Sequence, residues 1–255
     1  FYLGWKHHCD EGIIMGLASY GNPHDKIPNS EMTYYELFSE IIQENGQYDY
    51  TINKDWIVYH KVRNKWVSDK FYDLLGSKRA YEEDITKHHQ NIAAALQLRL
   101  ETVVLKHLRH LREAYNIDKL CIAGGVGLNC SLNGKIEQSG IFDEIFVQPA
   151  SGDDGTSLGA CFLAAKASGL DIKPQKNHNY YLGSVFTEQD IEDAVKASGV
   201  KYQKPDNLYE ATAKILAEGQ IIAWYQGRAE FGPRALGNRS IITKPFPESM
   251  KDYIN

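Results

Sequence analysis

The order strand, glycine-rich loop, helix occurs twice in succession, and this repeat limits the possible folds more than any other feature. The first copy starts with an apolar strand at residues 120–123 and runs through IAGGVGLNCSLN into a helix that ends near residue 139. The second starts at residues 144–147 and runs through QPASGDDGT into an alanine-rich helix at residues 157–168. This order predicts parallel strands in an α/β fold. Because ligands bind at the carboxyl edge of such sheets, we expect both loops to line one site.

The flanking sequence predicts further helices and strands. Apolar residues recur every three to five positions from residue 84 and predict a long core-facing helix; they are Ile92, Leu96, Leu100, Val103, Leu108 and Leu111. A short helix is predicted within residues 11–21, and residues 31–80 show weak β character typical of an insertion. Thr187-Glu-Gln-Asp190 predicts a capping box for a helix that ends at Gly199. A helix at residues 207–218 and a strand at 221–225 follow.

Composition is that of an ordinary globular protein. The chain has 255 residues, 43% of them apolar and 24% charged, with a formal net charge of -5. We therefore expect no nucleic-acid partner, and no apolar run is long enough to predict a membrane span. The four cysteines show no metal-ligand spacing, which indicates reduced thiols and a cytoplasmic protein. The chain starts without Met and ends in a predicted helix, so we expect it to be an internal piece of a longer protein.

The glycine turn, Gly-Gly-Val-Gly at residues 124–127, is suited to binding an anion. Glycines let backbone N–H groups approach a phosphate closely, and the N-terminus of the next helix adds its dipole. The spacing matches neither the dinucleotide nor the P-loop fingerprint. A nucleotide site and a close-packed turn both remain open at this point.

The second loop places two carboxylates, Asp153 and Asp154, between glycines at the start of a helix. Carboxylates in such a loop suit a divalent cation or a ribose close to phosphates. The alternative is that one of them only caps the helix.

A segment rich in arginine, QGRAEFGPRALGNRS, follows the last predicted strand. Arg228, Arg234 and Arg239 lie within twelve residues and are separated by Gly and Pro, so they suit bidentate binding of phosphate or carboxylate. The alternative is a set of surface salt bridges in which Glu230 pairs with one arginine.

The histidines predict no metal site. His107 and His110 are three residues apart on the long helix, but no third ligand has helical spacing, so we interpret them as solvated residues. The adjacent pairs His7-His8 and His88-His89 have diverging rings and receive no metal role.

Taken together, the segments EGIIMGLASYG, GGVGLNCSLN, QPASGDDGTSLGA and GRAEFGPRALGNRSI occur in the order typical of one family. The chain resembles the NodU-type O-carbamoyltransferases over most of its length. The resemblance implies an α/β chain in which residues 1–182 are the C-terminal half of an actin-like (ASKHA) ATPase-fold domain. It implies that residues 183–255 are the start of an α+β YrdC-like domain.

The resemblance also implies an activity. The YrdC-like domain is expected to form carbamoyl adenylate and pyrophosphate from carbamoyl phosphate and ATP, and the actin-like domain to move the carbamoyl group to a hydroxyl of a small-molecule acceptor. The implied cofactors are ATP as co-substrate with magnesium and an active-site divalent metal, expected to be iron. Two alternatives stay open: a sugar-kinase-like phosphotransferase and a non-catalytic nucleotide-binding module.

Site residues follow from the resemblance by motif. Gly124, Gly125 and Asn129 are expected to hold the adenylate, with Glu11 and Gly21 at the nucleoside pocket and Asp153 as a catalytic metal ligand. Arg228, Arg234 and Arg239 are expected at the carbamoyl phosphate and ATP site, with Arg234 as the catalytic one. The family's phosphate loop and the remaining metal ligands, including an HxxxH pair, have no match in this sequence. We therefore expect the 255 residues alone to have little transferase activity.

Overall fold

The computed structural model describes residues 1–6, 9–173 and 179–254, which form a mixed α/β chain. The chain divides into two compact units, Phe1–Val147 and Gln148–Asn255. The domain boundary expected at residue 182 from the resemblance stays a prediction, as do the actin-like and YrdC-like assignments. The adjacent pair His7-His8 lies outside the described residues, as does part of the segment that precedes residue 180.

Unit 1 contains α-helices, two pairs of strands and a short 3₁₀ helix. Its elements are α1 (Glu11–Ala18), α2 (Tyr34–Ile41), β1 (Ile42–Asn45), β2 (Asp49–Ile52), α3 (Asp69–Leu75), α4 (Lys87–Tyr115), β3 (Lys119–Ile122), a 3₁₀ helix (Gly125–Leu128), α5 (Cys130–Gln138) and β4 (Glu144–Val147).

Unit 2 contains the same kinds of element. They are a 3₁₀ helix (Asp153–Gly155), α6 (Thr156–Ala167), α7 (Glu188–Ser198), α8 (Leu208–Ala217), β5 (Ile222–Tyr225), β6 (Arg239–Ile242) and α9 (Met250–Ile254). Of the helices in the described ranges, none combines the length and hydrophobicity that a bilayer crossing requires.

The predicted parallel strand pair is confirmed. β3 and β4 pair in parallel, with Leu120 opposite Ile145 and Cys121 opposite Phe146. The connecting helix α5 packs through Leu132 and Ile136 in a small core with Phe142 and with Leu108 of α4. The glycine turn leaves the carboxyl end of β3, and Gln148 leaves the same end of β4, so both loops start at one edge of the sheet.

The main core of unit 1 surrounds the first half of α4. Ala93 and Ala95 are fully buried against α2 and the preceding loops, and Ile92 lies beside them. The long helix is confirmed, but the predicted stripe is wrong at two positions, because Leu96 and Leu111 are exposed. Small alanines let neighbouring elements approach the helix closely on more than one side, which a single apolar stripe does not predict.

Residues 31–80, expected to be an insertion, supply much of that core. Tyr34 and Leu37 of α2 are among the most deeply buried side chains, and Trp56, Phe71 and Leu75 pack with them. The capping box Thr33–Glu36 fixes the start of α2. The segment is therefore an integral part of unit 1.

The β1–β2 hairpin is held on α4 by charge. The Arg99 guanidinium donates to the Ile42 carbonyl from Nε at 2.9 Å and to a Glu44 carboxylate oxygen from Nη1 at 2.8 Å. Lys106 binds the other oxygen of Glu44, and these two cations lower the pKa of Glu44, with the Lys106 hydrogen bond as the largest cause. Arg99 is itself buried.

The two histidines of α4 were expected to be solvated, and this is wrong. The His107 ring lies 6.1 Å from the ring of Tyr50, and the His110 ring lies 5.8 Å from that of Tyr48, both on the hairpin. They pack under tyrosines because the hairpin folds back over the helix. Among the described residues, no group of three His, Cys, Asp or Glu side chains is placed to hold a metal.

Unit 2 confirms the predicted capping box. The Thr187 hydroxyl accepts from the Asp190 N–H at 3.1 Å, the Asp190 carboxylate accepts from the Thr187 N–H at 2.8 Å, and Gly199 ends the helix in the left-handed conformation. β5 pairs with β6 in antiparallel register, with Tyr225 opposite Arg239. β6 was not predicted, since its four residues directly follow the Gly- and Pro-containing segment.

Candidate functional site

The glycine turn is a tight, open loop. Gly124 has φ +106°, a conformation that favours glycine, and its carbonyl accepts from the Gly127 N–H at 2.9 Å. A Cβ added to Gly124 or Gly125 would meet no atom within 4 Å. Packing therefore requires glycine at neither position, and the surface beside them is accessible to a ligand.

Asn129, expected to hold the adenylate, has two structural partners. Its Oδ1 accepts from the Leu132 N–H at 2.9 Å, which caps α5, and its Nδ2 donates to Oε1 of Gln97 at 2.8 Å. Gln97 returns a hydrogen bond to Oδ1 at 3.1 Å and also donates to the buried Glu101. This amide pair fixes the glycine turn and α5 on α4, and a ligand-binding role for Asn129 stays a prediction.

One buried acceptor lies beside the same turn. The Asn133 side chain donates from Nδ2 to the Gly127 carbonyl at 2.8 Å, while its Oδ1 is buried without a hydrogen-bond partner in the described part of the chain. An unpaired buried amide oxygen is uncommon and costs free energy. On this side of the turn, the Asn133 oxygen therefore has capacity for one more hydrogen-bond donor.

The structure brings the helix of Glu11 to the same region. Met15, one turn after Glu11 on α1, contacts Cys130, the first residue of α5, with the two sulfur atoms 3.7 Å apart. Glu11 is exposed. α1 and the glycine turn are thus neighbours within unit 1, as a shared pocket would require.

Gly21, expected at the nucleoside pocket, has a packing reason to be glycine. A Cβ there would lie 2.1 Å from the Gln90 carbonyl oxygen of α4. The next residue is anchored as well, because the Asn22 N–H donates to the Asn91 side chain at 2.8 Å. Close approach of this loop to α4 explains the glycine without a ligand, and the pocket role remains a prediction.

The second loop presents its carboxylates outward. Asp153 and Asp154 are exposed, and neither caps a helix, because Gly152 is the N-cap of the 3₁₀ helix and Gly155 is the N-cap of α6. The alternative of a capping aspartate is therefore wrong. Gly155 is required here, since a Cβ would lie 1.9 Å from the Ala150 carbonyl oxygen. The adjacent Ser151 hydroxyl is buried, with no hydrogen-bond partner among the described residues.

Asp153 fits a metal only as one ligand. Its exposed carboxylate is available, but the described residues contain no cluster of three His, Cys, Asp or Glu groups that would complete a centre. The metal site expected from the resemblance is therefore not contained in this part of the chain, and we derive no chemical step through it.

Within unit 2, the arginine segment packs against the second loop. Gly232 has φ +120°, and a Cβ added there would lie 2.4 Å from the carbonyl oxygen of Pro149, two residues before Ser151. The segment is therefore the connection between β5 and β6, folded down onto the loop that carries Asp153. The structure places these two predicted motifs side by side.

Arg239 holds the base of this connection. Its Nη1 donates to the Gln226 carbonyl at 2.7 Å, its Nη2 donates to the Gly227 carbonyl at 3.1 Å, and its Cζ lies 3.4 Å from the centre of the Tyr225 ring. These contacts occupy much of the guanidinium. Its expected role in binding an anionic substrate stays a prediction, beside this structural one.

Glu230 organises the other end of the connection. One oxygen, Oε1, accepts from the N–H groups of Leu236 at 2.8 Å, Asn238 at 2.8 Å and Arg239 at 3.1 Å. Burial raises the pKa of Glu230, but these backbone N–H groups and its own outweigh that effect and lower the pKa to about 2. Backbone N–H groups, and not an arginine side chain, are the partners given for this oxygen.

The sequence matches the carbamoyltransferase N-terminus family over residues 1–162 and the carbamoyltransferase C-terminus family over residues 213–255. This chain belongs to the carbamoyltransferase family. The chain is 39% identical over 96% of its length to nodulation protein NolO of Bradyrhizobium diazoefficiens and covers 42% of that protein. It is 37% identical over its full length to nodulation protein NolNO of Sinorhizobium fredii, covering 35% of it.

A third relative has a name that states a reaction. It is the 3'-hydroxymethylcephem-O-carbamoyltransferase of Streptomyces clavuligerus, 29% identical over 96% of this chain, which covers 41% of that protein. The chain thus spans less than half the length of each of these three relatives. The expected NodU-type resemblance is confirmed by these matches.

Two residues of the candidate site, Gln97 and Glu230, were not predicted from the sequence. Gln97 gives no signal, because a polar residue on a long helix is ordinary; only its pairing with Asn129 reveals it. Glu230 had a detectable signal, a carboxylate inside an arginine-rich segment, but the spacing did not show that backbone N–H groups would be its partners.

Proposed function

We propose that this chain is part of an ATP-dependent O-carbamoyltransferase and that the β5–β6 connection binds its anionic substrates. Family membership supports carbamoyl transfer over the sugar-kinase-like alternative and the non-catalytic binding module. The observation that carries the proposal for the site is the packing of Gly232 on Pro149, which joins the arginine segment to the Asp153 loop.

The proposed reaction has three balanced steps. Water releases phosphate from carbamoyl phosphate and leaves carbamate. A carbamate oxygen then attacks the α-phosphorus of ATP, forming carbamoyl adenylate as pyrophosphate leaves. Finally, an acceptor hydroxyl oxygen attacks the carbamoyl carbon, its proton is lost and AMP leaves.

Charge determines what the described residues contribute. Two anionic substrates repel each other, and arginines placed at fixed positions offset that repulsion. Arg228 is exposed and Arg234 is half-buried on the connection, and we assign both to the phosphates of carbamoyl phosphate and ATP, with Arg234 as the catalytic residue. Magnesium would accompany ATP.

The turn at Gly124 and Gly125 is proposed to receive the adenylate. Its open surface and the N-terminus of α5 suit the phosphate, while Glu11 and Gly21 are proposed near the nucleoside. Asp153 is proposed as one ligand of a divalent metal, expected to be iron, which would polarise the transferred group when bound.

The acceptor is proposed to be a hydroxylated small molecule. The name of the Streptomyces relative specifies a hydroxymethyl acceptor for that protein. For this chain we propose the class of acceptor, a small molecule that carries a hydroxyl group.

The test uses the full-length protein. We expect release of pyrophosphate from ATP that depends on carbamoyl phosphate, and a mass gain of one carbamoyl group on a hydroxylated acceptor. The 255 residues alone should show little of this activity. Transfer of the ATP γ-phosphate to the acceptor would instead support a kinase, and neither product would support a binding module.

A further inference from the structure

The β5–β6 connection contains one carboxylate, Glu230, which lies between Arg228 and Arg234 and close to Arg239, the first residue of β6. In a loop that attracts anions by charge alone, a carboxylate lowers the attraction. Its side chain folds back onto the connection, since one oxygen accepts three backbone N–H groups. The geometry therefore gives this carboxylate a task other than binding substrate.

The hydrogen bonds of Glu230 join the two halves of the β5–β6 connection. Glu230 lies before the Gly232 turn, and its N–H partners, residues 236, 238 and 239, lie after it. The carboxylate thus closes the second half of the connection onto the first. Hydrogen bonds from N–H groups to a carboxylate are about twice as strong as neutral ones.

Arg239 binds backbone carbonyl groups, whereas Glu230 binds backbone N–H groups. Its guanidinium donates to the carbonyls of Gln226 and Gly227 at the start of the connection, and the Asn238 side chain donates to the Arg228 carbonyl at 2.7 Å. One anion therefore binds backbone donors and one cation binds backbone acceptors. Together they tie both ends of the connection.

We propose that Glu230 is a positioning residue that fixes the backbone on which Arg228 and Arg234 are presented to an anionic substrate. This inference rests on the proposed function, because it deepens the role of the same connection. A fixed backbone lowers the entropy that a flexible loop would lose when an anion binds. Glu230 itself is not expected to touch substrate.

The first test is hydrogen exchange on the full-length protein. In Glu230→Ala, the amides of Leu236, Asn238 and Arg239 should exchange faster, whereas those of α7 and α8 should not change. Glu230→Gln keeps an acceptor oxygen and should show a smaller increase. Glu192→Ala, which removes a half-exposed carboxylate that pairs with Lys196 on α7, is the matched control.

The second test measures function. We expect Glu230→Ala to lower kcat/KM for carbamoyl phosphate about 10- to 100-fold, mainly through KM, since small misplacements of binding groups have effects of this size. Glu230→Gln keeps an acceptor oxygen and should therefore lose less kcat/KM than Glu230→Ala. If Glu230 acted only through its charge, both variants would bind the anionic substrate more tightly than the wild type, because both remove a negative charge. Glu192→Ala should match the wild type.

Two results separate this inference from the proposed function. If the wild type releases no pyrophosphate, the proposed carbamoyl transfer is contradicted. The role of Glu230 is then still tested by calorimetry, which compares the affinity of the wild type and of Glu230→Ala for inorganic pyrophosphate. Unchanged pyrophosphate affinity in Glu230→Ala, or unchanged exchange of the three amides, would overturn the inference. Lower affinity together with faster exchange would support it.

Discussion

The two units of the chain are stabilised in different ways. Unit 1 has a main apolar core in which Leu37 and Ala93 are completely inaccessible to solvent, whereas the described helices of unit 2 contain no buried residue. In unit 2 the definite structure lies in loops, where Glu230 and Arg239 bind backbone groups. Side-chain burial therefore stabilises unit 1, whereas hydrogen bonds within loops fix the conformation of the proposed substrate site in unit 2.

The largest expected effect comes from the core of unit 1. Leu37→Ala removes a side chain with 0% exposure and should cost about 2–5 kcal/mol, from lost burial and a cavity. Native-state hydrogen exchange of the amides in α2 and α4 measures it. The control is Leu163→Ala on α6 of unit 2, where a side chain with 70% exposure should change stability by less than about 0.5 kcal/mol. Equal costs at the two positions would contradict the comparison.

A smaller effect is expected from the loop that starts α6. Gly155→Ala places a Cβ 1.9 Å from the Ala150 carbonyl oxygen, and the backbone shift should cost about 1–3 kcal/mol. Gly159→Ala, in the same helix with open space around it, should instead stabilise by about 0.5–1 kcal/mol. Hydrogen exchange of α6 amides distinguishes the two variants. If they have the same sign, close approach does not explain Gly155.

The smallest expected effect is the pH dependence of the β5–β6 connection. Because folding lowers the pKa of Glu230 from 4.5 to about 2, its contribution to stability is complete above 4.5 and is lost as pH falls toward 2. The difference in loop protection between the wild type and Glu230→Gln should therefore shrink as pH falls below 4.5. Hydrogen exchange of the Asn238 amide follows it, and a difference that grows on acidification would have the wrong sign.

Elements with local signals could be predicted from the sequence. The period of α4, the apolar strands β3 and β4 and the capping box of α7 each depend on neighbouring residues, so their patterns were sufficient. β6 and the exposure of Leu96 depend on residues distant in the chain and were missed or wrong.

The candidate site shows the same division. Its motifs were recognisable because their residue types are unusual, but their partners were not. The sequence could not show that Asn129 pairs with Gln97 or that Gly21 contacts Gln90, because both contacts depend on how α4 packs. It also could not show that Arg239 binds carbonyls, since a guanidinium can donate to carbonyl oxygens as well as to phosphate oxygens.

Arg228 and Arg234 are proposed to bind the anionic substrates of a carbamoyltransferase, and a kinetic comparison of three proteins tests this role. The rate of carbamoyl phosphate-dependent pyrophosphate release is measured for the full-length wild type, for Arg228→Ala/Arg234→Ala and for the surface control Lys196→Ala/Lys214→Ala. We predict that the arginine double variant loses at least about 100-fold in kcat/KM, as expected when charge-assisted phosphate contacts are removed, while the lysine control stays at the wild-type value. An arginine double variant that is folded and retains wild-type kcat/KM would contradict the account.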